Sequence, residues 1–172
     1  MTAATPRSAP AALRLLARST SEEETRRLGA ALARRLAPDG TLLLSGDLGA
    51  GKTVLTQGIG AGLGIPPAEV QSPTYTLVRE HRARDASPGA ARLIHLDLYR
   101  LDPDEALEMG VEELVAGGGL KVVEWAERLP FAVPGALHLE LRRAGAAREL
   151  WLVAGDPDDV PDLIFREETD PT

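Results

Sequence analysis

Cysteine is missing from the 172 residues, so the chain has no disulfides and no thiolate metal sites. That absence suits a cytoplasmic protein. No apolar run is long enough to span a bilayer, and the first residues lack the apolar core of a signal peptide. A G-x-S-x-G nucleophile elbow is missing too, which removes one large class of hydrolases. Lysine is confined to Lys52 and Lys121, and arginine supplies the remaining positive charge. The formal net charge of −7 argues against non-specific nucleic-acid binding by the protein as a whole. What is present is ordinary for a soluble globular protein, with 44% hydrophobic and 26% charged residues. One domain over residues 1–172 is expected, with flexible ends at 1–11 and 156–172. The tail from Asp156 carries seven acids against Arg166, and reads as a solvated end.

One of the two lysines stands in the most informative stretch. Gly46-Asp47-Leu48-Gly49-Ala50-Gly51-Lys52-Thr53 has the spacing G-x-x-x-x-G-K-T, the phosphate-binding P-loop. Its glycines let the backbone curl until successive N–H groups face one concavity that suits phosphate oxygens. The helix that follows adds the positive end of its dipole. In this arrangement Lys52 reaches the β- and γ-phosphates, and the Thr53 hydroxyl ligates Mg²⁺. A compact ammonium fits inside such a loop where a planar guanidinium would not. The reading is a nucleoside triphosphate site. Asparagine is absent from the chain, so the N-K-x-D signature that reads guanine is absent, and adenine is the expected base.

The flanking patterns place this loop in an alternating α/β chain. An edge strand is expected over 13–17. A helix over 22–37 follows, with Ser21 and Glu24 in capping-box spacing and a stop at Pro38-Asp39-Gly40. Thr41 to Ser45 is the strand feeding the loop. Gly58, Gly60, Gly62 and Gly64 crowd the next helix, at about 1 kcal/mol each relative to alanine. Close packing on the sheet or early termination would explain them. Further strands are expected over 75–81, 92–98 and 120–124, with a hairpin-like connection at 85–89. Asp102-Pro103 starts a helix to about Met109, and a second short helix spans 112–116. Strands over 136–141 and 149–154 flank a terminal hairpin turn.

Hydrolysis or transfer needs a carboxylate beside the phosphates. Asp97 and Glu124 each end an apolar strand in the Walker-B manner, and spacing alone does not choose between them. Ser72-Pro73-Thr74-Tyr75-Thr76 lies where switch segments sit, and reads equally as a Ser-Pro turn. His95 alternates with Asp97, which fits a hydrogen-bonded strand histidine better than a metal ligand. Trp125 reads as an indole closing the core. Arg79, Arg82 and Arg84 with His81 form a basic cluster that suits a solvated strand face, or else the lid of a small-molecule kinase, the rival function.

These blocks together resemble one family, the bacterial TsaE proteins. The matching residues are Gly46–Thr53, Ser72-Pro73-Thr74-Tyr75-Thr76-Leu77-Val78, His95-Leu96-Asp97-Leu98-Tyr99-Arg100-Leu101 and Val123-Glu124-Trp125, within roughly residues 19–154. The resemblance implies an α/β fold, a P-loop NTPase-type sheet flanked by helices with a C-terminal antiparallel hairpin. It implies an ATPase with ATP and Mg²⁺ as ligands, acting with TsaB and TsaD in threonylcarbamoyladenosine modification of tRNA. The chain would meet tRNA only through that complex, and the transfer chemistry belongs to TsaD. Thr53 and Glu124 are implied to hold the metal, with Asp97 and the Ser72–Thr76 segment beside the γ-phosphate. Thr25 matches a family position near the base. Val54 departs from the family, where a second threonine often follows the loop.

Overall fold

The computed structural model describes residues 13–84 and 91–155; the leader, the connection at 85–89 and the acidic tail lie outside the described residues. In chain order the elements are β1 (Arg14–Ser19), α1 (Glu22–Ala33), β2 (Thr41–Ser45), α2 (Lys52–Gly62), β3 (Val78–Arg82) and β4 (Arg92–Asp97), then α3 (Pro103–Glu108), α4 (Val111–Ala116), β5 (Leu120–Glu124), β6 (Leu137–Ala144) and β7 (Ala147–Ala154). All seven strands lie in one sheet, in the order β1-β7-β6-β2-β5-β4-β3. The four central strands β6, β2, β5 and β4 are parallel. The outer pairs β1–β7, β7–β6 and β4–β3 are antiparallel. The expected α/β sheet with its C-terminal antiparallel hairpin is therefore present.

Strand alternation decides what each face of the sheet meets. Leu42, Leu44, Leu93, Leu120, Val122 and Leu139 point to one face, against Leu28 and Leu32 of α1 and Leu55 and Ile59 of α2. Ile94, Leu96 and Val123 point to the other, against Ala106 of α3 and Val111 and Val115 of α4. Leu42, Leu44, Leu55, Ile59 and Leu96 are fully buried. Each such side chain contributes about 1.5–3 kcal/mol of transfer free energy. Burial on both faces explains why these strands read as near-continuous apolar runs.

Two of the boundaries that differ from expectation by three residues or more do so for a local reason. Helix α1 ends at Ala33, because Arg35 and Leu36 both donate to the Leu32 carbonyl and tighten the last turn. Ala37, before Pro38, is also disfavoured in the helical region. Strand β3 begins only at Val78. Thr76 and Leu77 donate to the Pro73 carbonyl and close a turn, and Leu77 takes a φ of 66°.

The glycines of α2 serve chiefly another helix. A Cβ on Gly58 would stand 2.1 Å from the Arg26 carbonyl oxygen, and one on Gly62 2.7 Å from Ala33 Cβ. From the other side, a Cβ on Gly29 would stand 2.2 Å from the Leu55 carbonyl oxygen. Only Gly60 meets the sheet side, near Val70 and Leu93, and Gly64 (φ 83°) lies just past the helix end. The glycines thus let α1 and α2 touch backbone to backbone. Helix α2, which starts at Lys52, is held rigidly behind the loop.

Candidate functional site

The parallel strands bring three segments to one edge of the sheet. Leu44, just before the loop, pairs with Glu124, and Glu124 pairs with Asp97. The loop and the two candidate acids therefore sit in one row at the carboxyl ends of β2, β5 and β4. Gly46, Gly49 and Gly51 take φ values of 134°, 77° and 107°, which only glycine adopts without strain. Gly46 has a second constraint, since a Cβ there would lie 2.3 Å from the Leu141 carbonyl oxygen.

A cleft of about 380 Å³ opens over this row. Leu48, Gly49, Gly51, Lys52 and Thr53 line it on one side, and Ser72, Thr74, Asp97, Tyr99, Glu124 and Trp125 on the other. The Lys52 ammonium donates to the carbonyls of Gly46 and Asp47, and stands 4.0 Å from the centre of the Trp125 ring. Burial lowers the pKa of Lys52 below the usual lysine value, opposed by the negative charges of Glu124, Glu127, Asp97 and Asp47. Trp125 holds this position from a left-handed backbone (φ 58°, ψ 42°), an arrangement that costs about 1–2 kcal/mol for a non-glycine residue. Its ring also packs on Tyr99, at 4.8 Å between centroids. The indole closes the core, as expected, and also forms the floor beneath the ammonium.

Each acid is held by a different group of hydroxyls. Thr53 Oγ1 lies 3.1 Å from both carboxylate oxygens of Glu124, and Thr56 Oγ1 is 3.4 Å from Oε1. His95 Nε2 completes this group at 2.7 Å from Glu124 Oε1. His95 is wholly buried, and its Nδ1 has no partner. Asp97 Oδ2 accepts from Ser72 Oγ at 2.7 Å and Thr74 Oγ1 at 2.8 Å, while Oδ1 accepts from the Tyr99 amide at 2.9 Å. Ser72 and Thr74 are themselves 2.6 Å apart. The Ser-Pro segment is thus a turn, and its hydroxyls are tied to Asp97.

Lys52, Thr53, Asp97 and Glu124 therefore converge, with Gly49 and Gly51 beneath them. Asp47 contributes its carbonyl, Leu48 is exposed at the rim, and Ala50 is buried under the loop. Thr25 is not among them. It is 1% exposed, with its hydroxyl 2.8 Å from Ser19 Oγ and 3.0 Å from the Ser21 carbonyl. Its neighbour one turn earlier, Glu22, lines the cleft instead. The basic cluster of β3 lies at the far edge of the sheet, where Arg82 pairs with Glu80 and Arg84 with Glu69. No local sequence pattern marks Thr56 or His95 as a partner of Glu124. Alternation of His95 with Asp97 was the one signal available, since the contacts cross between strands and helix.

Thr53 and Glu124 offer two hard oxygen donors side by side, which fits Mg²⁺, an ion that takes few protein ligands and keeps water or phosphate oxygens for the rest. No cluster of three or more His, Cys, Asp or Glu suited to a metal occurs among the described residues. No helix among them is long and apolar enough to cross a membrane.

A strand, a glycine loop and a helix on a mostly parallel sheet, with acids on the neighbouring strand ends, define a P-loop-type α/β protein. The crystal structure of Bacillus subtilis YdiB shares this fold, with a TM-score of 0.60 and 32% identity over 88% of this chain and 93% of that one. The model of the threonylcarbamoyl adenosine biosynthesis protein TsaE matches residues 19–150, and the chain belongs to that family. The Bacillus subtilis TsaE protein is 38% identical over 129 residues, 74% of this chain and 77% of its own length. The TsaE protein of a Nostoc species is 44% identical over 114 residues, 64% of this chain and 67% of its own. The chain's role thus lies in threonylcarbamoyladenosine biosynthesis on tRNA.

Proposed function

We propose that the chain is a Mg²⁺-dependent ATPase that works with TsaB and TsaD, its hydrolysis coupled to tRNA modification carried out on those partners. The observation that carries this reading is the Thr53–Glu124 contact beside Lys52, with Asp97 gripped separately by Ser72 and Thr74. In this reading Glu124 serves the metal and Asp97 the terminal phosphate. Thr53 and Glu124 would hold the Mg²⁺, which would supply charge neutralisation on the phosphate oxygens. Lys52 balances charge on the same oxygens, and the loop amides orient them. In the net reaction water adds to the γ-phosphorus, the bond to the β–γ bridging oxygen breaks, and ADP and phosphate leave. Asp97 orients the water, and its hydroxyl partners make it responsive to the γ-phosphate. In this reading the chain acts as the energy-coupling subunit.

The test is phosphate release by the purified protein with and without a TsaB–TsaD complex. Stimulation by the partners is expected, and equal rates would remove the coupling role. Glu124→Ala should lose turnover by at least tenfold while retaining nucleotide, whereas Lys52→Ala should lose nucleotide affinity. Full hydrolysis by Glu124→Ala would overturn the metal assignment.

A further inference from the structure

Two arginines of the C-terminal hairpin approach the loop from the flank opposite the acids. Arg143 of β6 and Arg148 of β7 are directly paired in the antiparallel register, so their side chains leave the same face. They continue the inward positions of Leu141 and Leu150, both buried against the α1–α2 side. Where the next inward residues would be apolar, the hairpin places two cations over the loop. Arg148 lines the cleft. A Cβ on Gly51 would stand 2.9 Å from both Cδ and Nε of Arg148, and one on Gly49 would stand 4.0 Å from Arg143 Nη1. The guanidinium of Arg148 is therefore laid directly on the phosphate-binding backbone.

Like charges paired across two strands are unfavourable unless something offsets them. The neighbouring Arg142 has Glu140 as its partner at 2.8 Å. Among the described residues no carboxylate lies within ion-pair distance of Arg143 or Arg148. Nε of Arg148 is buried without a hydrogen-bond partner, a costly condition for a charged donor. Packing of the aliphatic stem on Gly51 explains the position of Cδ but leaves that N–H unpaired. An anion on the loop would satisfy both arginines at once, and guanidinium suits phosphate in particular.

We propose that Arg148, seconded by Arg143, binds the phosphates that ADP and ATP have in common, on the β6–β7 flank of the loop. This rests on the nucleotide reading above. Because the contact is made to ground state and transition state alike, it serves affinity more than the chemical step.

Calorimetric titration of the full chain with Mg²⁺ and ADP, ATP or inorganic tripolyphosphate tests this, using Arg148→Ala, Arg148→Lys, Arg143→Ala and Lys52→Ala. Arg148→Ala should weaken all three ligands by roughly tenfold, Arg143→Ala by less, and KM for ATP should rise by more than kcat falls. Arg148→Lys keeps the charge and loses the fork, so it should fall between wild type and alanine. It also retains a stem against Gly51, and with Arg143→Ala it carries the test should Arg148→Ala not fold. Unchanged affinity for all three ligands overturns the proposal. A loss confined to ADP and ATP, with tripolyphosphate bound as before, also overturns it, since Arg148 would then read the nucleoside. If Lys52→Ala binds ADP as wild type does, the reading of the loop itself has failed, a result distinguishable from either.

Discussion

At the scale of single residues, Glu124 is the most heavily committed group of the site. It accepts from Thr53 and His95 and lies within reach of Thr56, all from buried or half-buried positions. Removing one partner of a buried carboxylate typically costs about 1–3 kcal/mol. His95→Phe keeps a ring in the buried space and deletes the bond to Glu124. It should lower turnover by roughly tenfold at saturating Mg²⁺ with a smaller effect on ADP affinity, while His95→Gln recovers part of the loss. Equal losses in binding and turnover would make His95 a packing residue only. Lys52, Thr53, Asp97 and Glu124 could be read from the sequence because local patterns mark them: a glycine spacing, and an acid after an apolar run. The partners of Glu124 and the approach of Arg148 to Gly51 could not, because they depend on β4 lying beside β5 and on β6 lying beside β2, strands brought together from distant parts of the chain.

Among the elements, the α1–α2 contact is where local propensity and packing disagree. Alanine at Gly58 would gain about 1 kcal/mol of helix propensity. Its methyl would meet the Arg26 backbone at 2.1 Å, so one helix must move. Overpacking of this kind costs about 1–3 kcal/mol, and the backbone neighbour cannot rotate away. Gly58→Ala should therefore lower the melting temperature by several degrees and weaken ADP binding through displaced Lys52 and Thr53. A melting temperature above that of wild type would show that propensity wins. Helix and strand positions were largely legible from periodicity, and β2 and β5 match their expected limits. The destination of the glycines was not legible, since sequence records that a side chain is missing and not what occupies the space.

For the molecule as a whole, two histidines set the response to mild acid. His138 is lowered from its ordinary value of 6.5 by burial, and its Nε2 lies 2.9 Å from Ser45 Oγ, the residue before the loop. Burial, with His95 and Arg79 nearby, lowers His81 as well. Below 6.5 the unfolded chain takes up these protons before the folded one, so stability is full above that value and declines as pH falls. Glu80 and Glu140 are lowered from 4.5 by their arginine partners, so they keep their charge throughout this range. Urea midpoints should fall between a pH of about 7.5 and about 5.5, and His138→Gln should flatten the slope. An unchanged slope would assign the effect elsewhere. The sheet order carries another consequence, one of timing. Among the described residues strand β1 hydrogen-bonds to no strand except β7, with Ser19 opposite Arg148. During synthesis the first of these strands must wait for the last before it has a neighbour. The pairing that closes this edge spans nearly the whole described chain, which makes it a late, slow step. The guanidinium that covers Gly51 is set by the pairing of β7 with β6, so the loop is completed by the last described strand of the sheet to be synthesised.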